Sequence, residues 1–259
     1  MNTSEILQNF SADLHLHTVL SPCGSLEMSP GNIIREAARK GLDIIGITDH
    51  NASANCQVTA RIAEKFGIFV LCGMEVTTVE ETHGLAFFEN FDQLEAFQQR
   101  IDSSIYKIKN DPDKFGYQVI VDEDEQITGE IEWLLLTATT LTLDELASHV
   151  HSLNGLYIPA HIDRSMYSLT SQLGFIPQEL DADAYEVSRF SSPQKICKQF
   201  PYLNGKTFIQ SSDAHFLKDI GTVQTIFRIK NRSFQEIKRA LQQSRGRSTT
   251  ISKHYERDL

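Results

Sequence analysis

The chain has 259 residues, with 34 Asp plus Glu against 24 Lys plus Arg, for a formal net charge of -10. That balance argues against a protein that tracks nucleic acid along a broad basic surface, but it leaves room for a phosphate held by something other than Lys and Arg. A hydrophobic share of 41% fills a substantial core and excludes wholesale disorder, and the length suits one α/β barrel carrying an insertion.

In chain order, Met1 to Ser11 is polar and lacks the basic and apolar regions of a signal peptide. Ala12 to His17 reads as a strand, followed by a turn at Ser21-Pro22-Cys23-Gly24. Ser29 and Pro30 open a helix that stops at Gly41. Leu42 to Thr48 is a buried strand, about Ser53 to Phe66 a helix closed by Gly67, and Ile68 to Val76 a strand again. This alternation predicts parallel pairing through right-handed crossovers. From about Glu89 to Glu132 the rhythm breaks. Phe91, Leu94, Phe97 and Ile101 recur at helical spacing, and Tyr117 to Ile131 reads as a hairpin around a solvated acidic turn, Asp122 to Glu125.

The pattern then resumes. Thr142 with Glu145 forms a capping-box pair, strands follow at Leu156 to Ala160, Ala184 to Val187, Thr207 to Gln210 and Thr222 to Ile229, and Ser233 with Glu236 caps a last helix. The expectation is a single domain over 1–259: a (β/α)7 barrel of about seven strands with a helix-plus-hairpin insertion at about 89–132. Cys23, Cys56, Cys72 and Cys197 form no CxxC pair, and no run is long enough to span a bilayer. Together these predict a cytoplasmic protein without a membrane partner.

Six of the nine histidines fall at the edges of these strands beside carboxylates: His15, His17, His50, His83, His161 and His215. Residues two apart on a strand share a face, so His15 and His17 point together. In a parallel barrel the functional rim is the carboxyl end of the strands, where His17, His50, Glu75, His161 and Asp213 fall. His83 precedes its apolar run, so it does not fit that rule. Histidines serving separate structural needs have no reason to choose strand ends repeatedly, and the convergence predicts a site for divalent metal. His149, His151 and His254 lack this context and read as structural.

The motifs Asp13 to Thr18 (DLHLHT), Ile47 to His50 (ITDH), Gly73 to Val76 (GMEV), Ala160 to Arg164 (AHIDR) and Ser211 to His215 (SSDAH) resemble those of the PHP superfamily, named for polymerase and histidinol phosphatase. The resemblance runs from about residue 12 to 221. It implies a distorted seven-stranded TIM-like barrel with two or three divalent metal ions, usually Zn, Mn or Fe, and a hydrolase acting on phosphoesters. It assigns His15, His17, Glu75 and Asp213 to one metal, Glu75 with His83 and His161 to a second, and His50 with His215 to a third. The loop that normally supplies another ligand to the third metal holds Cys23, for which a thiolate ligand and a small buried cysteine both stand as readings. Glu75, Asp213 and His215 are the residues expected at the reacting centre. Asp13 is expected behind the ligands, orienting a histidine.

Arg164 and Arg189 either clamp a substrate phosphate or serve as surface ion pairs. The leading expectation is a phosphoesterase that uses metal-activated water on a small phosphorylated substrate, such as a nucleotide or nucleoside bisphosphate, with the insertion covering the barrel mouth. A nuclease for short single strands is the second reading; the lack of a basic-aromatic stripe disfavours long nucleic acid. A non-catalytic, metal-stabilised interaction module is the third, disfavoured by the full set of ligand residues. Protein partners are not legible.

Overall fold

The computed structural model describes residues 6–251. The first half contains β1 (Gln8–Leu16), α1 (Pro30–Arg39), β2 (Ile44–Ile47), α2 (Cys56–Glu64), β3 (Phe69–Thr77), β4 (His83–Phe88), α3 (Phe91–Ser104), α4 (Pro112–Phe115), β5 (Val119–Val121) and β6 (Ile127–Glu130). The second contains α5 (Leu143–Ser152), β7 (Leu156–Pro159), α6 (Leu169–Gln172), β8 (Tyr185–Glu186), α7 (Pro193–Gln199), β9 (Phe208–Ile209), β10 (Thr225–Ile229), α8 (Phe234–Leu241) and β11 (Ser248–Ile251). No helix among the described residues is long and apolar enough to cross a membrane.

The helix ends follow local chemistry. Ser29, Thr142 and Ser233 each accept a backbone N–H from the first turn of α1, α5 and α8, and the Thr142–Glu145 capping box is complete. Asn55 precedes α2 without capping it, because its amide is committed elsewhere. It donates to Thr18 Oγ1 and Val119 O and accepts from Val121 N, tying the insertion to the loop after β1.

A seven-stranded sheet runs β11-β10-β1-β2-β3-β4-β7, and β8 and β9 form a separate parallel pair. Backbone bonds join that pair into a curled, barrel-like ring. Asp183 N reaches Tyr157 O and Ile162 N reaches Glu186 O on the β7 side, while His17 N reaches Ala214 O on the β1 side. The sheet departs from the expected all-parallel barrel. β4 is antiparallel to both β3 and β7, and β10 and β11 add antiparallel strands beside β1. The reason is connection length: a hydrogen-bonded turn at Thr78–Thr82 returns the chain at once, which only an antiparallel pair allows.

The pleat sorts the side chains. Leu71 on β3 and Leu85 and Phe87 on β4 belong to one buried cluster with Leu14, Leu156, Ile158 and α8, which closes the amino end of the barrel. Cys72, Met74, Val76 and Leu16 pack instead with the helices. Leu14 and Leu16 would share a face on a regular strand; the register shift between Asp13 and Leu16 separates them and turns His15 and His17 inward.

The insertion packs beside the loops after β1 and β2. Val119 and Val121 cluster with Val19, and Gln98 receives Ser53 N and Oγ. Gly116, at φ 101°, brings its backbone so near Pro22 O that a Cβ would collide with it. The acidic turn is more engaged than its composition predicts. Glu125 Oε1 accepts from Ser29 Oγ at 2.7 Å and Arg35 Nη2 at 3.3 Å, and Glu123 faces Arg61 at 3.6 Å.

Candidate metal centre

Glu75 on β3 and His83 on β4 share the inward parity of Leu71 and Leu85. Because β4 runs backwards, its amino end lies at the same rim as the carboxyl end of β3, with His83 opposite Thr77. His161 and Asp213 sit just past β7 and β9 with φ of 29° and 52°, left-handed conformations that L-residues adopt at a cost. All six rim histidines therefore converge. His15, His17, His50, His83 and His161 are buried, as is Glu75, and His215 lies at the lip.

Five imidazoles approach the one carboxylate of Glu75. On Oε1 are His83 Nδ1 at 2.8 Å, His161 Nε2 at 3.1 Å and His15 Nε2 at 3.3 Å; on Oε2 are His50 Nδ1 at 3.1 Å and His17 Nε2 at 3.4 Å. Asp213 Oδ1 lies 3.5 Å from His15 Nε2 and 3.4 Å from His17 Nε2.

The hydrogen atoms do not fill these contacts. Glu186 Oε2 accepts from His15 Nδ1 at 2.9 Å. Ser21 Oγ donates to Asp49 Oδ1 at 2.7 Å, so it accepts from His17 Nδ1 at 2.9 Å. Each ring therefore carries its proton on Nδ1 when neutral and aims a bare Nε2 lone pair at a carboxylate. Both Nε2 atoms are buried without a hydrogen-bond partner. Acceptor facing acceptor is repulsive in a buried site, and a divalent cation between them removes the conflict. The spacing fits as well: two ligands at ordinary zinc distances in a tetrahedron are about 3.4 Å apart. His15, His17 and Asp213 form one group whose ligand atoms lie within 4.8 Å of one another; His50, Glu75 and His83 form another, and His17, His50 and His215 a third. His215 Nδ1 donates to Asp213 O at 3.0 Å, again leaving Nε2 bare.

Electrostatics divides the cluster. Burial lowers His17 to about 4, with His215 adding to the effect, and burial holds His50 well below its usual value, so both rings are neutral and ready to ligate. Burial opposes charge on His15, but Glu186, Glu75 and Asp213 outweigh it and hold that ring well above its usual value, so without an ion its Nε2 also carries a proton, which a cation bound there would displace. Burial likewise opposes ionisation of Asp213, and His15, His17 and His161 override it, keeping the carboxyl well below its usual range.

Two family models match this chain: "PHP domain" over residues 13–187 and "PHP-associated" over residues 202–245. The chain belongs to the PHP family. An uncharacterized Methanocaldococcus jannaschii protein, MJ1587, is 37% identical over 78 residues, covering 27% of this chain and 45% of that protein. Among solved structures, the lesion-specific endonuclease PfuEndoQ of Pyrococcus furiosus matches with a TM-score of 0.69 at 20% identity, over 93% of this chain and 58% of that one. A two-domain Bacteroides vulgatus protein containing a predicted PHP-like metal-dependent phosphoesterase matches with a TM-score of 0.59 at 21% identity, over 96% of this chain and 66% of that one. At these identities the structural matches establish the fold. This PHP chain spans about half the length of the first of these relatives in sequence and in structure.

The remaining predicted residues fall in three places. Asp13 does not orient a histidine: it accepts from Ser212 N and Oγ and from Gly221 N, which ties the β9 segment to β1, and burial raises it to about 6. The carboxylate that orients His15 is Glu186, which also accepts from His161 N at 2.9 Å; Asp49 acts on His17 through Ser21. Neither acid stood out in the sequence as a functional residue. Ser21 lies in the loop after the HxH motif and Asp49 directly precedes His50, so those positions held the only signal. Cys23 lines both cavities at the mouth yet belongs to none of the three ligand groups. The residue is exposed, so it is not the small buried cysteine that was the other reading.

Arg164 pairs with Asp213 inside the site, and Arg189 faces Asp219 at 3.4 Å. Both line a cavity of about 310 Å³ over the cluster. None of residues 89–132 lines that cavity or the adjoining one; Leu136 is the nearest contribution from that side, so the insertion buttresses the rim and does not cover it. His149 and His151 lie in the last turn of α5, where His151 bridges Asp181 at 3.0 Å and Asp183 at 2.9 Å, a structural role. His254 lies outside the described residues.

Proposed function

We propose that this PHP chain is a metal-dependent phosphoesterase whose substrate phosphate enters the cavity over Glu75 and Asp213. The observation that carries the reading is the convergence of five imidazoles on Glu75, with the neutral His17 presenting a buried, bare Nε2 to both Glu75 and Asp213. His15, His17, Glu75 and Asp213 would hold one ion, Glu75 with His83 and His161 a second, and His50 with His215 a third; His161 lies outside the three compact groups, in which His50 joins Glu75 and His83, and enters through its 3.1 Å approach to Glu75. Zn, Mn and Fe all suit this set of nitrogen and oxygen donors. When bound, the ions supply Lewis-acid charge to the phosphoryl oxygens and lower the pKa of a water.

The chain's own residues do the rest. Glu186 and the Ser21–Asp49 pair fix the tautomers of His15 and His17 and hold their rings in place. Arg164 neutralises Asp213 and stands within the cavity wall, where it can exchange that carboxylate for a phosphoryl oxygen. Arg189 offers a second guanidinium, and Phe190 and Phe216 stand exposed along the mouth. A nucleotide or other small phosphate ester suits a space of about 310 Å³. Cleavage of a short single strand is the second reading, favoured by the groove that leaves this cavity past Arg189.

Metal analysis of the purified protein tests the site: at least two equivalents are expected, and fewer than one sinks it. Hydrolysis of an aryl phosphate by the wild type, absent in His17→Ala and Asp213→Asn, tests the activity. Equal rates in wild type and variants would refute it.

A further inference from the structure

Arg189 and Phe190, on the loop after β8, line the metal cavity and also a second groove of about 740 Å³. Among the described residues, the charged ones lining that groove are Arg189, Lys195 and Lys206, and none is a carboxylate. On a chain of net charge -10 this is a local reversal of sign. Asp219 partly balances Arg189, so the uncompensated charge belongs to Lys195 and Lys206, which are exposed and have no ion-pair partner among the described residues. Neither lysine lines the metal cavity, so neither can serve the scissile phosphate itself. Between the two spaces stands Phe190, 74% exposed, with the Arg189 guanidinium 5.1 Å from its ring centroid. An aromatic ring left this open, beside cations that lead away from a phosphate site, matches the stacking-plus-backbone pattern of single-strand binding.

We propose that this groove carries a single-stranded nucleic acid, with backbone phosphates against Lys195 and Lys206 and one unpaired base stacked on Phe190. The strand would deliver its phosphodiester to the metal cavity. The proposal rests on the phosphoesterase reading above and names its substrate class. A single strand is favoured over a duplex because the face of Phe190 is usable only by a base free of its pairing partner.

Fluorescence anisotropy of a fluorescein-labelled, hydrolysis-resistant phosphorothioate oligothymidylate of about eight nucleotides tests this on the protein as isolated. Binding is expected at low salt and should weaken as salt rises. Lys195→Glu with Lys206→Glu should weaken it at least about tenfold, and Phe190→Ala about fivefold or more. The same charge change at Lys65 and Lys114, outside the groove, should cost less than about twofold. Thermal unfolding checks each variant; if a charge reversal lowers the melting temperature, Lys195→Gln with Lys206→Gln takes its place. Equal weakening by groove and remote reversals overturns the proposal, as does tighter binding of a duplex of the same length, or no binding by the wild type. Aryl phosphate hydrolysis by the wild type is read separately. Hydrolysis without oligonucleotide binding sinks the groove alone, and binding without hydrolysis of any ester sinks the phosphoesterase reading alone.

Discussion

Two buried acids, Glu75 at the rim and Glu236 on α8 at the closed end, have opposite surroundings. Both Glu236 oxygens meet donors: Lys230 N at 2.8 Å and Arg247 Nε at 3.0 Å on Oε2, and Arg239 Nη1 at 2.6 Å and Arg247 Nη2 at 3.2 Å on Oε1. Glu75 meets five imidazoles, and the neutral His17 turns a bare lone pair towards it. A buried ionic cluster whose protons can all be assigned is a brace for the fold. One whose protons cannot be assigned needs a charge from outside the chain. Burial and charge together therefore do not mark a functional site; the bookkeeping of donors against acceptors does.

Four substitutions break or sharpen that contrast. Glu75→Gln removes the carboxylate shared by the candidate ligands, and the aryl phosphate rate should fall at least about a thousandfold, the several kcal/mol that metal-held charge contributes to a transition state. A loss below tenfold would mean that the two acids are more alike than their contacts imply. Glu236→Gln should leave that rate intact and cost about 3 kcal/mol of stability at pH 7 in urea unfolding, since Arg247, the Lys230 N–H and Arg239 hold the carboxyl at about 2 against the burial that opposes them. The folded pKa is lowered, so this stability is complete above about pH 4.5 and vanishes as pH falls towards 2. Wild type and variant should converge there; parallel stability profiles over that range would remove Glu236 from the brace.

A smaller effect is expected from Glu186→Ala, which leaves the donors of His15 and His161 unpaired while keeping every candidate ligand. Metal affinity by chelator competition should drop about 10- to 100-fold. An unchanged affinity would show that the histidines are held by packing alone. Cys23→Ser should move the rate by no more than about twofold, as suits a side chain outside all three ligand groups. A larger change would return the thiol to the centre.

Local signals were legible in the sequence. Ser29, Thr142 and Ser233 cap helices through bonds to their own first turns, and the apolar runs Leu42 to Thr48 and Ile68 to Val76 marked β2 and β3 as strands. The rim histidines were legible for the same reason, since each ends or begins an apolar run. Direction was not: Leu85 to Phe88 reads the same either way, and only the β3 pairing shows that His83 enters at the rim. Glu186 was hidden because its partner His15 lies 171 positions away and a single Glu at a strand end forms no motif. The groove was hidden likewise, since Lys206 joins Arg189, Phe190 and Lys195 only after β8 and β9 pair. α7 and β11 were missed, although Ser192-Pro193 carries the same signal as Ser29-Pro30.

The turn at Thr78–Thr82 also bears on the order in which the centre forms. Its backbone bond from Thr78 N to Thr82 O and the 2.9 Å contact between the two threonine hydroxyls fix the span from Glu75 to His83. One added residue would turn His83 towards the helices. Every other contact of Glu75 with a candidate ligand waits for more distant strands to associate, whereas this one needs only a hairpin, which closes on a microsecond timescale. Of the contacts gathered at Glu75, the one with His83 is therefore the one that depends on local chain alone, while the rest depend on closure of the barrel.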